Sequence, residues 1–537
     1  MQKLKFLGLS ILSGLLMGVS WPATGNLAPI FFIALVPLLY VEYSISQNRD
    51  KYNSRHLFLF AYTTFLTFNT YTTWWIWYAT DAGMIMVEAI NTLFMAIVFI
   101  LFHTIKNRLG NKKGYFSLIV LWIGFEWLHY NWELAHPWST FGNTFANYPL
   151  LIQWYEYTGV LGGTLWILII NIFLFQLFRK IIILGESIKK NNKTILATAS
   201  ILFIPIIFSI IIYTNYSEKN NPVEVVVVQP NIDPYMNKFN RMTEEQQVER
   251  IISLARKKIT PTTRYVVAPE TAIPYGSYEN ELESNNCIIA IRKLLQDYPK
   301  INFVTGISSY IDYGLSEKKP TLTARQNKRT KVWHDAFNSA ISIDKSSNIQ
   351  IYHKSKLVIG VEKIPYPKVF SYFEKFALDL GGTVGSLGTE KESKNFINGG
   401  INIAPVICYE SIFGEYLSTY VQKGANFVFV MTNDGWWDDT PGYHQHLSYA
   451  RLRAIENRRS IARSANTGTS CFINQRGDVI DATNWWEEEV IIYQMNSNDA
   501  LTFYTKNGDI IGRLSAAMAV LLLLWSWTMK MSLKFRG

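Results

Sequence analysis

Residues 401–411 read INIAPVICYES, an apolar run that ends in a cysteine and continues with polar residues. An apolar run of this length with β-branched residues predicts a buried strand, and the polar residues after it predict the start of a helix. Cys408 therefore lies at a predicted strand-to-helix junction. Because a helix N-terminus stabilises a thiolate, we expect a lowered pKa and a nucleophilic role for Cys408. By itself, the pattern fits a buried structural cysteine equally well.

Strand-like runs recur on both sides of this segment and alternate with helical stretches, which predicts an α/β domain built of layers. A helix is predicted over 444–465, where apolar residues as far along as Ile461 recur at helical spacing. Arginines such as Arg453 and Arg459 would supply its polar faces. The predicted strands are 223–228, 265–268, 301–305, 340–343, 401–407 and 426–431.

Two of these regions place ionisable side chains after a strand. Residues 266–272 read VVAPETA, which puts the carboxylate of Glu270 just past a strand end. Residues 352–357 read YHKSKL, which puts Lys354 and Lys356 past another. A carboxylate in such a position can act as a general base. Each segment alone fits an ordinary polar turn as well, because charged residues at strand ends are common.

Hydrophobic stretches in the first part of the chain and at its end predict about eight transmembrane helices. The first is expected to be retained, because the Trp-Pro-Ala at 21–23 is a poor signal-peptide cleavage site. Lys and Arg gather in alternate connections and are absent from the short connections between them. By the positive-inside rule, both termini lie in the cytoplasm and residues 214–509 lie outside. The predicted spans are 4–21, 27–45, 57–77, 83–105, 115–130, 157–178, 194–213 and 510–529.

Composition excludes several classes of function. The net charge of +10 does not require nucleic acid, because much of it lies at the predicted cytoplasmic side of the membrane. The cysteines Cys287, Cys408 and Cys471 are too few for a disulfide framework, and none has metal-ligand spacing. We therefore expect no metal and no cofactor, and a structural role for Cys287 and Cys471.

The order of Glu270, Lys354 and Cys408 along the chain resembles the nitrilase, or carbon–nitrogen hydrolase, superfamily. The resemblance spans 223–496 and includes residues 431–437, MTNDGWW. It implies an αββα sandwich, which the positive-inside rule places outside the cytoplasm. Seven predicted spans before this domain and one after it, together with residues 124–128, GFEWL, resemble the apolipoprotein N-acyltransferase family.

This resemblance implies acyl transfer through a cysteine thioester. It makes Cys408 the nucleophile and Glu270 the general base and later the acid. Lys354 becomes the cation near the oxyanion, and a backbone N–H near Tyr409 assists it. Lys356 is the competing lysine, and Lys354 is preferred because it follows an aromatic-rich strand and because Glu362 then matches the family's second carboxylate. Glu362 would orient Lys354 or the base.

Further residues are candidates to support the site. Tyr409 and Glu410 match family residues beside the nucleophile and would hold the cysteine turn or shape the acyl pocket, although a purely structural role stays open. Phe239 stands where the family has a tryptophan, and residues 359–361, IGV, replace its Pro-Phe-Gly. Glu126 lies within a predicted span, where an ionisable group faces the bundle interior or water. It also lies close enough to the outer end to be interfacial.

The sequence therefore predicts a membrane α-helical bundle with an extracytoplasmic α/β nitrilase-like domain. Residues 1–213 would form transmembrane helices 1–7, residues 214–505 the periplasmic catalytic domain, and residues 506–537 the last helix and a cytoplasmic tail. The family implies a monomeric enzyme of the bacterial inner membrane. It would move a fatty acyl chain from a phospholipid, phosphatidylethanolamine, to the α-amine of the diacylglyceryl-cysteine of a lipoprotein, in a ping-pong reaction.

Two alternatives stay open. The first is a membrane-tethered amidase or nitrilase that uses the same residues to hydrolyse a small amide, and it would turn over without lipid. The second is a transporter or lipid-binding protein whose outer domain is inactive. Retention of Glu270, Lys354, Glu362 and Cys408 in one sequence argues against the second.

Overall fold

A computed structural model describes residues 1–238, 241–346, 348–366 and 386–535 of the chain. By internal packing the chain divides into two compact units. The helical unit comprises Met1–Trp77, Asp81–Asn215 and Asn507–Gly537. The sheet unit comprises Tyr78–Thr80 and Tyr216–Lys506.

Long helices dominate the helical unit because its sequence consists of extended apolar runs with few breakers. Gly159 interrupts one of them with a positive φ of 62°, a backbone conformation that costs glycine little. The main helices are Gln2–Ser20, Val36–Gln47, Ser54–Thr73, Asp81–Leu109, Asn111–Asn131, Tyr155–Phe178, Asn192–Asn215 and Ile510–Phe535.

Within the part of the chain that the structure describes, six helical segments are long and apolar enough to cross a membrane, judged by length and composition. The predicted spans at 57–77 and 115–130 fall on the helices Ser54–Thr73 and Asn111–Asn131, which do not reach the same apolarity. The first carries many threonines, and the second carries lysines and Glu126. The predicted count of spans is therefore higher than the count that hydropathy supports. The six segments are Gln2–Ser20, Ala28–Gln47, Gly83–Leu109, Tyr155–Ile183, Ile188–Asn215 and Ile510–Lys530.

Among its described residues, the sheet unit contains an eight-stranded and a six-stranded sheet, and strands occur at all six predicted positions. The strands of the first sheet are β1 (Pro222–Gln229), β2 (Thr263–Val267), β3 (Ile273–Tyr278), β4 (Asn302–Gly314), β5 (Arg325–Gln326), β6 (Trp333–Ile343), β7 (Gln350–His353) and β14 (Glu489–Asn496). Those of the second are β8 (Phe396–Asn398), β9 (Ile401–Ile407), β10 (Phe427–Thr432), β11 (Ile461–Ala465), β12 (Cys471–Ile473) and β13 (Val479–Ile480). In the first sheet, β1, β2 and β4 are parallel neighbours, and β6 and β7 are antiparallel additions. In the second, β9, β10 and β11 are parallel neighbours.

The alternation of side chains along β1 shows how the layers are built. Val225 and Val227 point into a core that they share with β9 and β10 of the other sheet. Val226 and Val228 point the opposite way, into a core formed with the helices Glu244–Arg256 and Asn286–Asp297. Successive residues of a strand face opposite sides, so β1 is apolar throughout because both of its faces are covered. The second sheet packs against the helices Gly414–Gln422 and Pro441–Asn457, which completes an α/β/β/α sandwich.

The prediction of a helix over 444–465 is wrong in two respects: the helix ends earlier, and its arginines do not form polar faces toward water. The observed helix is Pro441–Asn457, and Ile461 lies in β11 instead. Arg458 adopts a left-handed conformation with a φ of 49° and terminates the helix. Short apolar runs fit either period, so spacing alone misassigned Ile461. Arg453 and Arg459 are each only 1% exposed, because they bond backbone carbonyls and a buried carboxylate rather than water.

Candidate active site

Cys408 follows β9 directly and sits at a strained turn. Its φ is 45°, a left-handed conformation that costs a non-glycine residue about 1–3 kcal/mol and persists only where the surroundings impose it. Two buried groups hold the Cys408 carbonyl oxygen: the Ser411 hydroxyl donates to it at 2.8 Å, and His446 Nε2 lies 3.1 Å away. The turn therefore presents the thiol in a fixed orientation.

The expectation of a thiolate stabilised by a helix N-terminus is wrong. Cys408 begins a five-residue 3₁₀ helix, and the α-helix starts only at Gly414. Burial raises the pKa of the Cys408 thiol, and the carboxylate of Glu270 raises it further, while Lys354 opposes both without outweighing them. Cys408, the candidate nucleophile, is therefore a neutral thiol at rest, and it would need a base to take its proton.

Glu270 and Lys354 meet although they are far apart in sequence, because each follows a strand of the first sheet. Lys354 Nζ donates to Glu270 Oε1 at 3.1 Å and to Glu362 Oε1 at 2.9 Å. The amide of Asn338, in β6, donates to the same two carboxylate oxygens at 2.8 and 2.9 Å. The sequence-predicted residues Glu270, Lys354 and Glu362 thus form one hydrogen-bonded cluster, and Cys408 lies within its electrostatic range.

The charges of this cluster stabilise one another. Burial raises the pKa of Glu270, but Lys354 and Asn338 outweigh it and hold that pKa below its usual value. Burial lowers the pKa of Lys354, but Glu270 and Glu362 outweigh it and hold that pKa above its usual value. At neutral pH the cluster therefore contains an ionised carboxylate and an ammonium next to a neutral thiol. This arrangement can deprotonate a nucleophile and stabilise a developing oxyanion.

The competing lysine, Lys356, lies elsewhere. Its Nζ sits 5.2 Å from the ring centre of Phe413 and 5.1 Å from that of Tyr416, in cation–π contact. The structure therefore brings Lys354, and not Lys356, to Glu270.

Glu410 braces the cysteine turn against the lysine loop. Its Oε2 accepts from the backbone N–H of Ile407 at 2.9 Å. Its Oε1 accepts from the Tyr352 hydroxyl at 2.5 Å and from the Ser355 N–H at 2.7 Å. Burial raises the pKa of Glu410 to about 7, and the hydrogen bonds that it accepts oppose this rise. Because the carboxylate joins the end of β9 to the residues beside Lys354, Glu410 fixes the distance between the Cys408 turn and Lys354.

We expect Glu410→Ala to destabilise the sheet unit by about 3 kcal/mol or more, because buried donors left without an acceptor cost roughly 1–3 kcal/mol each. Thermal unfolding in detergent, followed by tryptophan fluorescence, measures this as a clear drop in Tm. Glu392→Ala is the matched control, since that carboxylate is exposed and its ion pair with Lys423 contributes little. Equal Tm values for the two variants would contradict the bracing role.

The remaining predicted residues are less closely tied to the cluster. Tyr409 is half-buried, and its ring contacts Phe413 edge to face at 5.2 Å. Phe239 lies outside the described residues. Glu126 belongs to the helical unit, where its carboxylate is buried. It accepts hydrogen bonds from the side chains of Trp122 and Thr164 and from the Phe141 N–H, so its observed contacts are structural.

Sequence reasoning missed two residues beside Glu270. Asn338 gave a weak signal, since it is a polar residue inside the otherwise buried strand β6. Lys238 gave none, because it lies in a loop. Its buried Nζ donates to the backbone carbonyl of Glu270 at 3.1 Å and to the Thr271 hydroxyl at 2.7 Å, and burial lowers its pKa to about 8. Lys238 thus anchors the backbone that carries Glu270.

Cys287 and Cys471 are both fully buried and unpaired, and burial raises the pKa of each thiol to about 12. Among the residues that the structure describes, no group of His, Cys, Asp and Glu side chains is arranged to hold a metal ion.

The site combines a cysteine at a strained strand end with an ionised carboxylate and an ammonium, in a domain of two stacked sheets. These features are those of an enzyme that acts through a cysteine nucleophile. The carbon–nitrogen hydrolase family model matches residues 224–502, which is just over half of the chain. The chain belongs to the carbon–nitrogen hydrolase family.

The helical unit shows which members of this family the chain is similar to. Residues 13–173 match the model of the apolipoprotein N-acyltransferase N-terminal domain. An apolipoprotein N-acyltransferase of Chlorobaculum tepidum is 29% identical over 96% of this chain and 95% of its own length. Apolipoprotein N-acyltransferase 1 of Treponema denticola is 25% identical over 96% of this chain and 94% of its own. With its apolar helices, the chain is a multi-pass membrane protein of a bacterial type.

Proposed function

We propose that this protein is an acyltransferase that moves a fatty acyl chain from a phospholipid to the α-amine of the diacylglyceryl-cysteine of a lipoprotein. The observation that carries the proposal is the cluster of Glu270, Lys354 and Cys408 in a chain that also has membrane-spanning helices. Relatives named apolipoprotein N-acyltransferase, which match along nearly the whole chain, support N-acyl transfer to a lipoprotein.

In the first half-reaction, Glu270 takes the thiol proton as Cys408 Sγ attacks the ester carbonyl carbon of the phospholipid. The carbonyl oxygen becomes an oxyanion, which Lys354 and a backbone N–H near Tyr409 stabilise. When the intermediate collapses, the carbon–oxygen ester bond breaks and the glycerol oxygen takes the proton from Glu270. A lysophospholipid leaves, and the acyl chain remains on Cys408 as a thioester.

In the second half-reaction, the neutral α-amine of the diacylglyceryl-cysteine attacks the thioester carbon. Glu270 accepts a proton from the attacking nitrogen, and Lys354 again stabilises the oxyanion. Collapse breaks the carbon–sulfur bond, and the Cys408 sulfur leaves and regains the proton from Glu270. The products are an amide-linked lipoprotein and the free enzyme, so atoms and protons balance over the cycle.

Membrane anchoring fits these substrates. Both substrates are held in a bilayer by their own acyl chains, so an enzyme in the same membrane meets them in two dimensions. The absence of Lys and Arg from one set of connections supports a periplasmic sheet unit with both termini in the cytoplasm. We expect phosphatidylethanolamine as donor, as in the family. A monomer suffices, because Glu270, Lys354, Glu362 and Cys408 belong to one chain.

Intact-protein mass spectrometry of the purified protein tests the proposal. We expect incubation with phosphatidylethanolamine to add the mass of one fatty acyl chain and a diacylglyceryl peptide to remove it. The same peptide with an acetylated N-terminus is the matched control and should leave the thioester in place. A protein that gains no acyl mass but hydrolyses simple amides without lipid would be a tethered amidase instead.

A further inference from the structure

Thr432, the last residue of β10, lies directly against the sulfur of the candidate nucleophile. Its side chain is fully buried, and Oγ1 lies 3.3 Å from Cys408 Sγ. The same oxygen lies 2.9 Å from Oδ1 of Asp434. A threonine hydroxyl has one proton to donate, so it can serve only one of these two acceptors at a time.

Asp434 is a fixed, charged acceptor. Arg463 donates to its two oxygens at 3.0 and 2.8 Å, and both side chains are fully buried. Burial raises the pKa of Asp434, but Arg463 and His446 outweigh it and hold that pKa below its usual value. Asp434 therefore keeps its charge and its position, and only the hydroxyl proton of Thr432 is free to reorient between acceptors.

The charge on the sulfur then decides where the hydroxyl proton points. While Cys408 is a neutral thiol, the stronger acceptor is Asp434, so Thr432 donates to Asp434. When the sulfur becomes a thiolate, it becomes a charged acceptor in contact with the hydroxyl. A hydrogen bond to a charged group is stronger than one to a neutral group, and Asp434 keeps its hydrogen bonds from Arg463, so the thiolate can draw the Thr432 proton where the thiol could not.

We propose that Thr432 is a two-position hydrogen-bond donor that stabilises the Cys408 thiolate. This inference rests on the proposed function, in which the sulfur is both the attacking group and the leaving group. Three charged groups also act on the sulfur: Lys354 favours the thiolate, while Glu270 and Asp434 disfavour it. Thr432 supplies a directional hydrogen bond. Its hydroxyl donates to Asp434 until the thiolate forms, and then donates to the sulfur.

The test measures the alkylation of Cys408 by iodoacetamide as a function of pH, in detergent and without phospholipid. Thr432→Val removes the hydroxyl but keeps the branched shape, and Thr432→Ser keeps the hydroxyl. We expect alkylation of the valine variant to be about tenfold slower at a given pH, since a charged hydrogen bond is lost. The pH at which the alkylation rate of the valine variant rises should also be higher than in the parent protein. The serine variant should stay within about twofold of the parent protein.

Thr432→Ala guards against a packing defect that is specific to valine, and a Tm measurement shows that each variant is folded. Parent-like alkylation of folded Thr432→Val, or equal losses in the serine and valine variants, would overturn the inference. Shifted alkylation in a protein that never takes up an acyl group would instead uphold the role of Thr432 and refute the proposed function.

Discussion

Cys408→Ser is expected to abolish the acyl-enzyme and to slow acyl transfer by a factor of about 10⁴ or more, as nucleophile replacement does in related chemistry. A serine hydroxyl is far less acidic than a thiol. Glu270 is a weak base in the resting protein, because Lys354 and Asn338 hold its pKa below the usual value. It cannot deprotonate a serine at a useful rate, so the residual turnover should be close to background.

Intact mass after incubation with phosphatidylethanolamine gives the first readout, and N-acylation of a diacylglyceryl peptide gives the second. Cys287→Ala is the matched control, since Cys287 is a buried thiol on the helix Asn286–Asp297 and belongs to a different core from Cys408. It should acylate normally. An added acyl mass that persists in Cys408→Ser, or that disappears in Cys287→Ala, would contradict the assignment of Cys408 as the nucleophile.

Lys354→Met should lower acyl transfer by about 10³ or more, because it removes an oxyanion-stabilising cation and the partner of the base together. Without the lysine, burial acts on Glu270 with less opposition, so the pKa of the carboxyl rises and more of it is protonated at neutral pH. A protonated carboxyl cannot accept the thiol proton. The remaining activity should therefore increase with pH, over a range in which the parent enzyme is already fully ionised at Glu270.

Loss of a buried cation also destabilises folding, by about 3–5 kcal/mol when its partners stay charged. The double variant Lys354→Met/Glu362→Gln removes one unpaired carboxylate, so it should recover part of the Tm without recovering activity. Lys356→Met is the control, since Lys356 contacts the rings of Phe413 and Tyr416 and not Glu270. Near-normal transfer by folded Lys354→Met, or an equal loss in Lys356→Met, would show that the wrong lysine had been assigned.

The sequence predicted six strands of the sheet unit, because their apolar runs are short, rich in β-branched residues and separated by polar turns. It also predicted which strand ends carry ionisable groups. Spacing could not show where the helix Pro441–Asn457 ends, since the apolar residues of β11 fit either period. Nor could it show that Arg453 and Arg459 are buried, because an arginine that bonds backbone carbonyls looks in sequence like one that faces water.

The prediction from local sequence that Cys408 is a thiolate was also wrong. A strand-to-helix junction suggests a thiolate, but the pKa of a thiol depends on every charge around it and on its burial. Those charges come from distant segments: Glu270 and Lys354 are 84 residues apart, and Thr432 follows the cysteine by 24. The polar residues Asn338 and Lys238, which position the base, likewise act through contacts that no short motif contains.

What the sequence determined by itself is the layered α/β class, the apolar helices and the order of Glu270, Lys354 and Cys408, because hydrophobic period and residue type are properties of short segments. The tertiary structure alone decided which lysine meets the base, which side chain contacts the sulfur and whether the thiol is ionised. Those outcomes depend on which strands are neighbours within each sheet and on how the two sheets stack, since both bring strand ends together and remove water from the charges between them.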